Sequence, residues 1–389
     1  MKHIRRGKQN QPNIALITLP LSHLYPGILL SFIEILDPLS NEFFIITGNF
    51  PEERISSKNI HIKNIKSSRK ESKWALVRVL RYILTQLKLS INLIKISKKI
   101  YTVILFLDGP TLVLPMIAAK LLKKKTMIVV TGAASKNVEK FYGKKLLGMG
   151  GYVFSRILHV FERINCMLSD RIVLESIIHS HGLERYNNKI FPFGARFVDV
   201  NLFKIKKSID ERENVIGYIG RFRAEKGVRE FVDAIPFILE ENKAVNFLMG
   251  GDGPLFKEIK DKIDHNKLSD KVELVGWIPH EELPEFLNEI KLLVLPSYTE
   301  GMPNIVLEAM ACGTPVLATA VGSVPDIIKD GETGFILEDN SPECITKNVI
   351  KALEHFDLEG IVKNARRQVE EEFTYEAAVE RYGNILEKI

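Results

Sequence analysis

Between residues 214 and 319 the chain alternates short apolar runs with stretches of helical period, and each run is followed by a loop carrying glycine or proline. The runs are 214–219, 244–249, 272–275, 292–296 and 316–319. Four to six consecutive apolar residues read as a strand buried on both faces. Between them, spacings such as Phe231, Ala234, Ile235 and Ile238 place apolar side chains on one side of a helix. Strands alternating with helices in this way predict a doubly wound α/β domain built on a parallel sheet.

The first half repeats the pattern less regularly, with strands expected at 14–18, 43–46, 103–106, 127–130 and 171–174. A length of 389 residues, at about 100–200 residues per domain, predicts two or three domains. We expect one domain over residues 1–205 and a second over 206–373, with 191–213 carrying the crossover and 374–389 a final amphipathic helix. The apolar positions of that helix are Ala377, Val379, Tyr382, Ile385 and Leu386.

Charge separates the halves. Residues 1–200 hold 31 Lys and Arg against 13 Asp and Glu, while the remainder holds 23 against 35. A basic half joined to an acidic half predicts different partners for the two. Cys166, Cys312 and Cys344 form no paired framework and no Cys-x-x-Cys, which points to a reducing, cytoplasmic setting and away from zinc. The basic start at Lys2, Arg5, Arg6 and Lys8 precedes an apolar stretch broken by Pro20 and Pro26, so it reads as an arm before a strand rather than a signal peptide. The stretch 102–122 is interrupted by Asp108-Gly-Pro110 and falls short of the roughly 18 uninterrupted apolar residues of a membrane span.

Two loops of the acidic half carry the chemistry. In Glu300-Gly-Met-Pro-Asn-Ile-Val-Leu-Glu308, two carboxylates flank seven residues at a strand-to-helix boundary. Pro303 suits the first helical turn, and Gly313-Thr-Pro315 stops the helix. Glu300 then stands at the carboxyl end of a strand, where open α/β sheets bind ligands, and Glu308 lies about one and a half turns into the helix. Backbone N–H groups around Gly301 to Asn304 suit phosphate or sugar oxygens. Earlier, Gly220-Arg-Phe-Arg-Ala-Glu-Lys-Gly227 leaves a strand with Arg221 and Lys226 five apart, offering a planar fork and a point charge to a diphosphate. The loop lacks G-x-G-x-x-G spacing, which argues against a dehydrogenase.

These segments, with Gly251-Asp-Gly-Pro254 and Val275-Gly276 between them, resemble the pattern of retaining glycosyltransferases of the GT-B fold, family 4. The resemblance is strong over residues 215–380 and weak over the first 200. It implies two Rossmann-like doubly wound domains facing a central cleft, and a terminal helix crossing back onto the first domain. It also implies donor contacts at Gly220, Arg221, Lys226, Gly251, Gly276, Glu300, Gly301, Met302, Pro303, Asn304, Ile305 and Glu308. Glu300, Arg221 and Lys226 would carry catalysis. Glu300 would hold the transferred sugar, Glu308 the ribose, and Arg221 with Lys226 the departing diphosphate. Trp277, beside the expected base, would pack under the loop in preference to stacking. No Asp-x-Asp occurs in the chain, so no metal and no other cofactor is expected. The expected activity is retaining transfer of a hexose from a nucleotide-sugar to a glycan or lipid-linked acceptor. A sugar-nucleotide epimerase and a non-catalytic sugar-nucleotide or glycan-binding subunit are the alternatives.

The first domain departs from the family pattern. The stretch after its fourth expected strand, Thr131-Gly-Ala-Ala-Ser-Lys136, has no histidine. The crossover reads Phe193-Gly-Ala-Arg196 in place of Asn-Gly-Val-Asp, and Tyr25-Pro-Gly27 replaces a glycine pair. His23 lies nearby and reads as structural. Between Lys58 and Lys99 Glu71 is the one acidic residue among many basic ones, and Arg78, Arg81, Thr85, Lys88, Asn92, Lys95 and Lys99 recur every three or four residues. This makes a cationic stripe on an apolar helix entered by Trp74, and 144–154 adds a second basic and apolar stretch. Two readings stay open: a helix in an anionic membrane interface at the inner face of the cell membrane, or a core-packed helix with a solvated Lys face. No base-reading motif accompanies the charge, so nucleic acid is not expected.

Overall fold

The computed structural model describes residues 11–21, 26–55, 57–65, 75–131, 148–176, 183–192 and 194–389. His23, Tyr25, Trp74, Phe193, the basic arm and the stretches 132–136 and 144–147 lie outside the described residues. The chain forms two compact units, Met1–Arg196 with Ala378–Ile389, and Phe197–Ala377.

The first unit holds strands β1 (Ile14–Ile17), β2 (Phe43–Thr47), β3 (Ile60–Asn64), β4 (Thr102–Leu105), β5 (Lys125–Val130), β6 (Arg171–Leu174) and β7 (Ile190–Phe191). They pair in parallel in the order β3-β2-β1-β4-β5-β6-β7. Its helices are α1 (Pro26–Leu36), α2 (Ala75–Ile96), α3 (Val113–Leu121) and α4 (Gly148–Leu168). Leu89 and Leu93 of α2, Met116 of α3 and Cys166 of α4 share one core with Ile17, Leu105 and Ile128 of the sheet. These three helices therefore cover the same sheet face.

The second unit holds β8 (Val215–Ile219), β9 (Asn246–Gly250), β10 (Val272–Gly276), β11 (Leu292–Leu295), β12 (Val316–Thr319) and β13 (Phe335–Leu337). Their order is β10-β9-β8-β11-β12-β13, again parallel. The helices are α5 (Val228–Glu241), α6 (Phe256–His265), α7 (Leu283–Glu289), α8 (Asn304–Ala311), α9 (Val324–Ile327), α10 (Pro342–Leu353) and α11 (Leu358–Glu372). The last helix, α12 (Tyr375–Glu387), starts in the second unit and continues in the first. There Tyr382, fully buried, packs on Phe32 with ring centroids 5.0 Å apart.

Strand order reverses at β1 in one sheet and at β8 in the other, so each has a switch point at its centre. Every strand expected from sequence is present within two residues of its expected bounds. The strands β3, β7 and β13 carried no readable signal, because each is a sheet edge and two of them have only two or three residues. The units divide at Arg196/Phe197, nine residues before the expected 205/206. Those nine residues are tied to the second unit by Val198 N–H bonding to Phe373 O at 2.8 Å and by Phe197 against the Tyr375 ring at 5.5 Å.

Candidate functional site

The candidate residues of the second unit gather at the carboxyl ends of four parallel strands, β8 to β11, on the loops that follow them and in α8. The loop after β8 runs from Gly220 to Gly227, where φ of +66° precedes α5. A Cβ at Gly227 would lie 1.8 Å from Pro296 O, so the end of this loop presses on the end of β11. Phe222 is buried and packs on Phe256 and Tyr218 at 5.6 and 5.8 Å, while its neighbours Arg221 and Arg223 are exposed. The alternation forces Arg221 outward: Phe222 anchors the loop, and the cation before it must face solvent. No ion pair of Arg221 is formed among the described residues.

Beneath the loop, the buried Tyr218 hydroxyl lies 3.4 Å from Arg221 O and 3.3 Å from Lys226 O. It braces the two ends of the cationic segment from the core side. Burial pushes its phenol well above the ordinary range, so it remains a neutral hydrogen-bonding group. The turn after β9 interlocks with the same loop. Gly251 has φ of +136°, and a Cβ there would meet Gly220 O at 1.8 Å. Gly220 N–H bonds to Gly250 O, Phe222 N–H to Asp252 O, and Gly251 N–H to Gly276 O at 2.6 Å. Gly220, Gly251 and Gly276 are thus brought together as one backbone platform.

Glu300 stands in the loop between β11 and α8, and Lys226 Nζ lies 2.7 Å from both of its carboxylate oxygens. The pair is largely enclosed, with side chains 19% and 10% exposed. Ser323 holds the loop from behind, its N–H and Oγ donating to Gly301 O at 2.9 and 2.6 Å. The helix α8 begins at Asn304 with Pro303 as its N-cap and no capping side chain, one residue later than the expected first-turn placement of Pro303. Among the described residues, the N–H groups of Gly301, Met302, Asn304 and Ile305 make no hydrogen bond. Four donors and the positive end of the helix dipole therefore lie in the segment that directly follows Glu300.

Glu308 is buried on α8, and His280 Nε2 lies 3.1 Å from its Oε1. That carboxylate raises the His280 pKa. The far end of α8 is fixed by two buried or half-buried cations. Arg212 donates to Cys312 O at 2.7 Å, to Thr314 Oγ1 at 2.9 Å and to the carbonyls of Leu287 and Ile290. Arg366 donates to Ala311 O and Phe203 O. Positive charge on the C-terminal carbonyls complements the helix dipole and sets the position of the helix that carries Glu308.

Trp277 corrects an expectation. It is 73% exposed, not packed under its loop, because it follows β10, the sheet edge, beyond which no strand lies. Tyr218, Phe222, His280, Ser323, Arg212 and Arg366 were not marked as site residues from sequence. Tyr218 and Phe222 read as ordinary core, and the other four act through contacts with residues distant in the chain, which no local spacing records.

The two parallel-sheet Rossmann-like units, with a ligand edge of this kind, define the fold class of the GT-B glycosyltransferases. Residues 199–369, inside the second unit, match the family model for glycosyl transferases group 1. Over 172 residues the chain is 31% identical to an uncharacterised glycosyltransferase of Methanocaldococcus jannaschii, covering 44% of this chain and 47% of that protein. Over 188 residues it is 32% identical to the N-acetyl-alpha-D-glucosaminyl L-malate synthase of Bacillus anthracis, covering 48% and 49%. The chain thus spans about half the length of the curated relatives it matches. The crystal structure of Anabaena HepE in complex with UDP shares the fold at a TM-score of 0.72 and 16% identity, covering 96% of this chain and all of that one.

Proposed function

We propose that this chain is a retaining glycosyltransferase that moves a hexose from a nucleotide-sugar to a glycan or lipid-linked acceptor without a metal ion. The observation that carries the reading is the meeting of Lys226, on the loop that also carries Arg221, with Glu300, on the loop that leads into α8. The match of residues 199–369 to the group 1 family supports it.

In this reading Arg221, Lys226 and the α8 amides receive the negative charge that develops on the diphosphate as the anomeric C–O bond breaks. Groups already held in place need no reorganisation to do this. The bonding pair leaves with the phosphate oxygen, the acceptor oxygen bonds to the anomeric carbon on the same face, and the acceptor proton passes to the departing diphosphate. Glu300 accepts two sugar hydroxyls and Glu308 accepts those of the ribose. Gly220, Gly251 and Gly276 let backbone approach the nucleotide, and the α8 entry from Gly301 to Ile305 lines the sugar and phosphate. In this reading cationic side chains and amides compensate the charge, and the chain carries no Asp-x-Asp. The reading places the protein in the cytoplasm at the inner face of the membrane, its basic first half toward anionic lipid.

The test is release of nucleoside diphosphate from a panel of nucleotide-sugars, with and without saccharide acceptors and with a chelator present. Acceptor-dependent transfer with retained anomeric configuration supports the reading. Conversion of the donor without acceptor identifies an epimerase, and tight binding without turnover a non-catalytic subunit.

A further inference from the structure

The helix α2 has two apolar faces, and the core uses only one of them. Leu89 and Leu93 are fully buried against the sheet. On a second face Val77, Leu80, Leu84, Leu87, Ile91 and Ile94 follow one another at alternating intervals of three and four residues. All six are exposed, Leu80 at 57%, Ile91 at 50% and Ile94 at 52%, and Ile83 beside them is 42% exposed. Exposed apolar residues scattered singly are normal, but a continuous row along a 22-residue helix marks an interaction surface. The solvated-Lys reading of this helix does not account for that row.

Charge identifies the occupant. Arg81, Lys88 and Lys95 are exposed and each follows a residue of the apolar row by one or four positions, so they form a cationic edge along it. The helix carries no Asp or Glu. The adjoining α3 has none either and adds exposed Ile117 and Leu121. A second copy of this chain packed across the row would bring cationic edges together with no carboxylate on the helix to answer them. An anionic lipid surface answers both features: its headgroups meet the cations, and its acyl boundary takes the apolar row. No helix among the described residues is long and apolar enough to cross a membrane, so the helix would lie on the surface rather than span it.

We propose that α2 docks flat on an anionic membrane surface, its Val77-to-Ile94 row at the acyl boundary and Arg81, Lys88 and Lys95 on lipid phosphates. The proposal deepens the membrane element of the proposed function and rests on it, while donor binding, measured separately, reports on the other unit.

The experiment is sedimentation of the full chain with phosphatidylcholine vesicles, with and without about one third phosphatidylglycerol, at low salt and at about 0.15 M salt. The variants are Leu80→Gln/Leu84→Gln/Leu87→Gln/Ile91→Gln and Arg81→Glu/Lys88→Glu/Lys95→Glu, each checked for an unchanged circular dichroism spectrum and Tm. The natural chain should bind the anionic vesicles and retain part of that binding at the higher salt. The Glu variant should lose roughly a hundredfold or more in partitioning, about fivefold for each cation. The Gln variant should lose binding at both salt concentrations, since apolar contact is not screened. Absence of vesicle binding at low salt would overturn the proposal, as would unchanged binding of the Gln variant. So would a dimer of the natural chain in light scattering that the Gln variant turns into a monomer, which assigns the row to a second copy. Acceptor-dependent release of nucleoside diphosphate with a soluble saccharide acceptor stays intact if only the membrane inference fails, and is absent if the glycosyl-transfer reading fails.

Discussion

Lys226 and Glu300 are 74 residues apart in the chain, yet the ammonium lies 2.7 Å from both carboxylate oxygens. In the proposed reaction these two groups have different partners, the diphosphate for Lys226 and the sugar for Glu300. Donor binding must therefore exchange one ion pair for two new contacts. Glu300→Gln removes the competing carboxylate while keeping the shape of the side chain. We expect this variant to bind free nucleoside diphosphate more tightly, by up to about fivefold, the range of about 0.2–1 kcal/mol for an ion pair in contact with solvent, and to lose transfer rate. Weaker nucleoside diphosphate binding in calorimetry would show instead that Glu300 touches the nucleotide.

Arg221 and Lys226 should also differ from each other. Arg221→Ala removes an exposed guanidinium with no ion pair among the described residues, so its cost, about 1.5–3 kcal/mol of diphosphate affinity, is that of the lost contact alone. Lys226→Ala additionally leaves the Glu300 carboxylate uncompensated beside an anion and should cost more. Adding Glu300→Gln to Lys226→Ala should recover part of that loss. A double variant no better than Lys226→Ala would show that the pair is not coupled to nucleotide binding.

The His280–Glu308 contact predicts a pH dependence. Glu308 raises the folded-state pKa of His280 above its ordinary 6.5. Stability from this contact is therefore fully present below pH 6.5 and is lost as pH rises through the higher folded value. The Tm difference between the natural chain and His280→Ala should be largest in mild acid and shrink toward alkaline pH. A difference that grows with pH would contradict the pairing. Glu308→Ala should weaken even free nucleoside diphosphate, because the ribose is common to every ligand of the site.

Arg212 tests the support of α8. It is 3% exposed, and burial lowers its pKa to about 10. Its side chain donates to the carbonyls of Lys207, Leu287, Ile290 and Cys312 and to the Thr314 hydroxyl. Arg212→Met leaves several of these acceptors buried without donors, at about 1–3 kcal/mol for each that finds no water. We expect a Tm fall in the second unit larger than that of any exposed substitution named here. An unchanged Tm would mean that water replaces the guanidinium.

Much of this protein was legible in the amino-acid order. Strands such as β11 and β12 are continuous apolar runs, because a central parallel strand is buried on both faces and tolerates nothing else. The glycines at 220, 227 and 251 and the two carboxylates of 300–308 are local features whose spacing survives without any knowledge of packing. The exposure of Trp277 and the two faces of α2 were not legible. A row of Leu and Ile at helical spacing reads the same whether it enters a core or faces outward, since periodicity reports a face and not what covers it. The sequence by itself determined two parallel α/β units and the loops that carry Arg221, Lys226, Glu300 and Glu308. The tertiary structure alone decided that Lys226 closes on Glu300, that His280 meets Glu308 and that Arg212 holds the far end of α8. Those are contacts between residues 28 to 100 positions apart, and only the winding of the chain around its sheet brings them within hydrogen-bonding distance.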